Sequence, residues 1–297
     1  MTDKDKTLIE TTEGGCPLGA DGAEPAVFTG DELTYNDYLK IPELLSLQIP
    51  QSEPAHHDEM LFIIIHQAYE LWFKLILHEF DSAIVYMKRG NSLRARHFVE
   101  RVVTIMKVLV QQIHILETME PMEFLQFRHR LMPASGFQSI QFRELEFAAG
   151  LKDARYLRFF KNRPELLNKL QERLDGPDLR TTYYAMLKEL GHSVPDDVST
   201  SHRGTNNAQE KQIIAALKAI YEKPDDHMAL YLLTESLVSL DEQLLLWRQH
   251  HVNVVERIIG FKRGTGGSSG VEYLEKTTSK KCFPFLWDVR THLGEEA

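Results

Sequence analysis

Between Leu230 and Ile258 the chain places Leu230, Leu233, Leu237, Leu240, Leu244, Trp247, His251, Val254 and Ile258 in alternating steps of three and four. That period puts every one of them on a single face of one long α-helix, and a face this wide and apolar has to be covered by other elements. A second row, Phe62, His66, Tyr69, Phe73, Ile76 and Phe80, has the same spacing and is mostly aromatic. No segment shows the period-two alternation of a half-buried strand. The chain is therefore expected to be all-α, a helical bundle built on long antiparallel helices with shorter helices added.

Breakers place the remaining elements. Helices are predicted over 57–88, 93–117, 121–131, 138–149, 151–160, 164–174, 178–190, 206–222 and 226–259, punctuated by the turn "RGNS" and by Pro133, Gly150, Pro164 and Pro177. Thr34 and Asp37 read as the N-terminal cap of a short helix that Pro42 interrupts. Residues 1–32 mix Gly, Pro and acid without apolar periodicity and are expected to form a disordered tail, leaving 33–297 as one helical domain. This tail holds eight acids and two lysines, −6 of the net charge of −9, so the body is nearly neutral. No basic stripe follows a phosphate backbone, which argues against nucleic-acid binding. Neither a long uncharged apolar run nor a signal-like N-terminus is present, so no membrane association and a cytoplasmic home are expected. Cys16 and Cys282 are too few and too far apart in sequence for a disulfide framework or a thiolate metal site.

Against this background three features stand out. His251 lies in the core row of its helix, whereas His250 is rotated away by about 100°; His66 lies in the core row of the other long helix. Each could be a core histidine whose nitrogens are satisfied by neighbours. An imidazole in an apolar slot without thiolates or carboxylates also suits axial ligation of haem iron better than tetrahedral zinc. Arg128 follows Phe124 and Phe127 on a short helix and needs an anion, either a carboxylate of the chain such as Glu59 or that of a ligand held bidentately. "PASG" follows it, with Ser135 and Gly136 small enough to let a ligand approach. Last, "FKRGTGGSSG" gathers four glycines just after the longest helical row. It follows a helix, not a strand, so it is no dinucleotide fingerprint, and its lysine precedes the glycines, so it is no P-loop. It reads as a lid. Glu53-x-x-His56 and Glu189-x-x-His192 have the spacing of helical di-iron sites, but Pro54 and Gly191 put them at helix ends.

"SEPAHHDEMLFIIIHQAYELWFK", "FRHRLMPASGFQS" and "IIGFKRGTGGSSG", in this order and spacing, resemble the tryptophan 2,3-dioxygenase family, and the likeness runs from about Leu33 to Leu293. It implies a helical homotetramer with one haem b per subunit, converting L-tryptophan and O2 to N-formyl-L-kynurenine. By the same resemblance His251 is the proximal iron ligand and His66 the distal histidine that receives the indole N–H. Arg128 clamps the substrate carboxylate, and Thr265 contacts its ammonium and carboxylate. Phe62, Phe124, Ser135 and Gly136 line the pocket, Ser135 and Gly136 beside the haem as well. Tyr35, Tyr38 and Leu39 are expected to reach into a neighbouring subunit's site. A haem carrier or sensor without substrate chemistry is the non-enzyme alternative; it has no use for an amino-acid clamp or a glycine lid. A haem monooxygenase acting on a tryptophan analogue is the enzymatic one.

Overall fold

The computed structural model describes residues 33–196, 198 and 207–294, which leaves the acidic tail and most of the polar 197–206 connection outside the described residues. In chain order the α-helices are α1 (Tyr35–Leu39), α2 (Ile41–Leu45), α3 (His57–Lys88), α4 (Ser92–Leu116), α5 (Pro121–Arg128), α6 (Ile140–Ala149), α7 (Pro164–Asp175), α8 (Leu179–Glu189), α9 (Asn207–Glu222), α10 (Met228–Ile259), α11 (Val271–Glu275) and α12 (Pro284–Asp288), with 3-10 turns at His129–Leu131, Gly136–Gln138, Ala154–Phe160 and Val289–His292. No strand occurs among the described residues. The fold is all-α, as the periodicity requires.

The chain divides after Gln48. In the short N-terminal unit Thr34 caps α1, its hydroxyl oxygen accepting from the Asp37 N–H at 3.2 Å, and Pro42 occupies the first turn of α2. No side chain of either helix is buried.

The larger unit is organised around α4, which packs along both α3 and α10. Its inward row, including Val99, Val102, Met106, Leu109 and Ile113, is buried, and Asn91 caps it by accepting from the Arg94 N–H at 3.0 Å. All nine row positions of α10 are buried except His251, which is half-buried. Around this trio α6 and α8 pack on α3, α7 packs on α6, and α5 touches both α3 and α10. Buried polar contacts fix these placements. Thr234 donates to the Leu230 carbonyl at 2.7 Å, so the Tyr183 hydroxyl of α8 is the donor in its 2.6 Å bond to Thr234 on α10. Asp241, fully buried, accepts from the Cys282 and Phe283 N–H groups and from Trp287 Nε1 at 2.8, 3.0 and 3.0 Å, which pins the C-terminal segment to α10.

Three expected helices come out differently, the first being 121–131, which is α-helical to Arg128 and then turns 3-10 over His129–Leu131. The 138–149 helix starts at Ile140, because Ser139 acts as its cap and accepts from the Phe142 N–H at 3.2 Å. The 151–160 helix is a 3-10 segment from Ala154. Gly150 ends α6 with φ of 112°, where a Cβ would lie 2.8 Å from that of Arg180, and no helix resumes until Asp153 caps the new turn. One helix among the described residues, α3, is long and apolar enough to cross a membrane; it also carries Glu59, Glu70, Lys74 and Glu79, and Ile65, Tyr69, Phe73, Ile76 and Phe80 on its inner side are core.

Candidate active site

The inner faces of α3 and α10, together with α5 and the loops around Ser135 and Thr265, enclose a cavity of about 270 Å³. His66 and His251 both line it. The helical rows explain the apposition: each histidine takes a core position on its helix, and its ring meets space where its row neighbours meet side chains.

The two rings differ in what holds them. His66 Nδ1 lies 2.7 Å from the Phe62 carbonyl oxygen. A carbonyl can only accept, so Nδ1 carries the proton and Nε2 keeps its lone pair. Burial lowers the His66 pKa, outweighing that hydrogen bond and the Glu70 charge. His251 stacks on Trp247, centroids 5.1 Å apart and planes 21° apart, and its nitrogens form no hydrogen bond among the described residues. Burial first, then the neighbouring His66, push it down to about 4. A half-buried neutral imidazole with its nitrogens free and a cavity before it is the donor form that metal ligation requires. His251 therefore fits an axial ligand of haem iron.

Another part of the cavity lining is aromatic, then cationic. Phe62 packs on Phe124 at 5.5 Å and on Phe127 at 6.0 Å, and His66 lies against Phe62 at 4.1 Å. Arg128 emerges beside them from the end of α5 and donates to the Arg263 carbonyl. It does not pair with Glu59, whose oxygens accept instead from Gln51 and Ser52. The sequence left open a carboxylate of the chain as partner to this guanidinium; the structure gives it one carbonyl, with donors to spare.

The glycine loop docks at the same place. Thr265 donates to the Ala134 carbonyl at 2.6 Å, and the loop closes on itself through Gly264 N–H to Ser268 O at 3.1 Å and Gly267 N–H to Gly264 O at 3.0 Å. Gly266 crosses so near the Ser135 side chain that a Cβ on it would stand 2.7 Å from that of Ser135. Gly266→Ala is expected to lift the loop at a cost of about 1–2 kcal/mol, so that trypsin cuts after Lys262 and Arg263 faster than in the parent; an unchanged rate would show that the close approach constrains nothing.

Phe62, His66, Phe124, Arg128, Ser135, Gly136, His251 and Thr265 thus all line one cavity. Tyr35, Tyr38 and Leu39 belong to the separate N-terminal unit, where all three are exposed. Periodicity did not reveal the ionic wall. Glu146 of α6 accepts from Arg143 and, at 2.9 Å, from Arg248, which also donates to the Lys280 carbonyl at 2.7 Å, and all three side chains are buried. The single usable sign was their adjacency to core positions, Arg143 to Phe142 and Arg248 to Trp247. The Glu-x-x-His pairs do not converge. His56 precedes α3 as its cap, while Glu189 ends α8 and His192 lies in the loop beyond it, its ring 5.0 Å from that of His227.

An all-helical domain that offers one neutral imidazole to a metal, and an acceptor imidazole plus a guanidinium to a ligand, has the build of a haem protein with a site for an amphipathic acid. The profile of the tryptophan 2,3-dioxygenase family matches residues 20–195 and 181–293. Among relatives, the tryptophan 2,3-dioxygenase of Xanthomonas euvesicatoria pv. vesicatoria (strain 85-10) is 42% identical over 273 residues, covering 91% of this chain and 92% of that protein. That of Myxococcus xanthus (strain DK1622) is 41% identical over 281 residues, covering 93% and 96%. The chain belongs to the tryptophan 2,3-dioxygenase family.

Proposed function

We propose that this chain, with haem b held by His251, opens the indole ring of L-tryptophan between C2 and C3 with O2 and releases N-formyl-L-kynurenine. The observation that carries the reading is the lining of one cavity, which brings together a free neutral imidazole, an acceptor imidazole, a guanidinium and a hydroxyl. When bound, the haem iron supplies O2 activation. The protein's own part is positioning.

His66 Nε2 is an acceptor at the cavity wall and takes a hydrogen bond from the indole N–H. It orients that group and does not deprotonate it, since a neutral indole N–H is far too weak an acid for an imidazole of lowered basicity. Phe62 and Phe124 flank the ring and keep water off it. Arg128 holds the substrate carboxylate in a charge-assisted, bidentate pair. The Thr265 proton is committed to the Ala134 carbonyl, so its oxygen remains to accept from the substrate ammonium. Ser135 and Gly136 let ligand and cofactor come close. A haem carrier would need neither Arg128 nor Thr265 in that lining. The direct test is to reduce the haem-loaded protein, add L-tryptophan in air and follow the N-formylkynurenine absorbance; turnover of indole lacking the amino-acid part at the same rate would sink the assigned clamp.

The enzyme is further proposed to be a cytoplasmic homotetramer whose sites are completed by Tyr35, Tyr38 and Leu39 of a neighbour. These side chains are exposed on a segment too short to be stable alone. On α3, Met60, Ile64 and Leu71 form an exposed apolar stripe that a second copy would cover. Mixing Arg128→Leu subunits with subunits carrying Tyr35→Ala and Tyr38→Ala, after dissociation and reassembly, is expected to give activity above the mean of the two parents. Activity at the mean would show that each subunit builds its pocket alone.

A further inference from the structure

Outside the cavity, one group of side chains brings metal-ligating atoms of two helices to one point. His114 lies in the last turn of α4, Glu117 caps that helix, and His250 comes from α10. His114 Nδ1 is 3.2 Å from a Glu117 carboxylate oxygen, and the His114 and His250 rings stand 5.1 Å apart and nearly perpendicular at 87°. One ligand atom from each of the three lies within 4.8 Å of the others. We propose that His114, Glu117 and His250 form a second metal site, for a divalent transition ion of the zinc class, separate from the axial position of His251.

Donor chemistry and geometry support this together. Two imidazoles and one carboxylate match the nitrogen-and-oxygen set of a three-ligand zinc site, whereas calcium and magnesium take oxygens alone. Metal–ligand bonds of about 2.0–2.1 Å put the ligand atoms of a tetrahedron about 3.3 Å apart. The His114–Glu117 pair already has that separation, and the His250 ligand atom, within 4.8 Å of both, has the remaining distance to close when the ion binds. The His114 side chain is 45% exposed, which gives the ion access from solvent and leaves the fourth position to water. A surface ion pair within α4 would account for His114 and Glu117, but not for a second imidazole delivered from α10.

The location gives such an ion a mechanical effect. α4 and α10 share one of the bundle's main seams, and Ile113 and His251, each adjacent in sequence to a ligand, line the cavity. Because His250 is turned about 100° from His251 around the helix, the ion sits outside the wall it ties together. Binding to the folded form alone raises the unfolding midpoint.

The test uses the haem-loaded protein, freed of adventitious metal with a chelator and dialysed against Zn2+. One zinc per chain and an unfolding midpoint raised by several degrees are expected in the parent. Removing a ligand costs more than removing a hydrogen-bond partner behind one, so His114→Gln and His250→Gln should bind zinc at least about a hundredfold more weakly, with the Soret band unchanged as proof of folding. Glu117→Gln repeats the measurement at a helix cap should either imidazole variant fail to fold. His57→Gln, which removes an exposed histidine paired only with Asp58, should bind zinc like the parent. A parent that binds no zinc, or ligand variants that bind as tightly as the parent, would overturn the site.

Discussion

His251→Ala is expected to lose its haem, while His250→Ala is expected to keep it. The two residues are neighbours in sequence, yet only His251 faces the cavity, with its ring on Trp247 and its nitrogens unclaimed. His250 faces α4 and packs edge-on against His114. Truncating His251 removes the sole axial candidate on α10 and leaves an apolar wall of Trp247, Val254 and Ile258. The readout is haem retained through gel filtration, followed by the Soret band. The expected result is near-complete loss for His251→Ala and parental content for His250→Ala. An unshifted Soret band in His251→Ala would move the ligand elsewhere, and His66 would be the first place to look.

The second large effect belongs to Arg128. In Arg128→Leu, L-tryptophan binding to the haem-loaded protein should weaken far more than binding of indole without the amino-acid part. Losing one charge-assisted pair costs about 1.5–3 kcal/mol, roughly 10- to 150-fold in Kd, and more where the substrate carboxylate stays buried without a partner. The variant also releases the Arg263 carbonyl and with it one tether of the glycine loop. Arg128→Lys separates the two contributions: it keeps the charge and one donor but loses the planar fork, so it should recover part of the affinity. Equal weakening of both ligands in Arg128→Leu would make the guanidinium a loop tether only.

The long elements were legible because each row supplies many agreeing positions. The row from Leu230 to Ile258 leaves no doubt about face or length, and α3 follows its expected bounds of 57–88. Where a helix is short, one capping side chain decides its start, as Ser139 does for α6 and Asp153 for the 3-10 segment after Gly150. In the site, the histidines were legible by the same logic, since a polar residue in a core row has to be satisfied or functional. Their different states were not. That His66 is held by a carbonyl while His251 is held by none depends on backbone and ring placement, which spacing does not encode. Arg143, Glu146 and Arg248 were hidden for a related reason. They are two buried arginines sharing the one carboxylate of Glu146, and the bond from Arg248 on α10 to Glu146 on α6 joins distant segments and leaves no periodic trace. Likewise, Arg128 announced a need for an anion without saying which, and the hydrogen bonds of Glu59 removed the nearest internal choice.

In the proposed reaction His66, Arg128 and Thr265 hold L-tryptophan beside a haem carried by His251 so that both atoms of one O2 enter the indole. It is tested most directly by a single turnover of the reduced, haem-loaded protein with L-tryptophan under isotopically labelled O2 in unlabelled water, with the product analysed by mass spectrometry. The expected product is N-formyl-L-kynurenine carrying both labelled atoms, formed by the parent and strongly diminished in Arg128→Leu. A product carrying one labelled atom, or a hydroxylated indole with the ring intact, would contradict it.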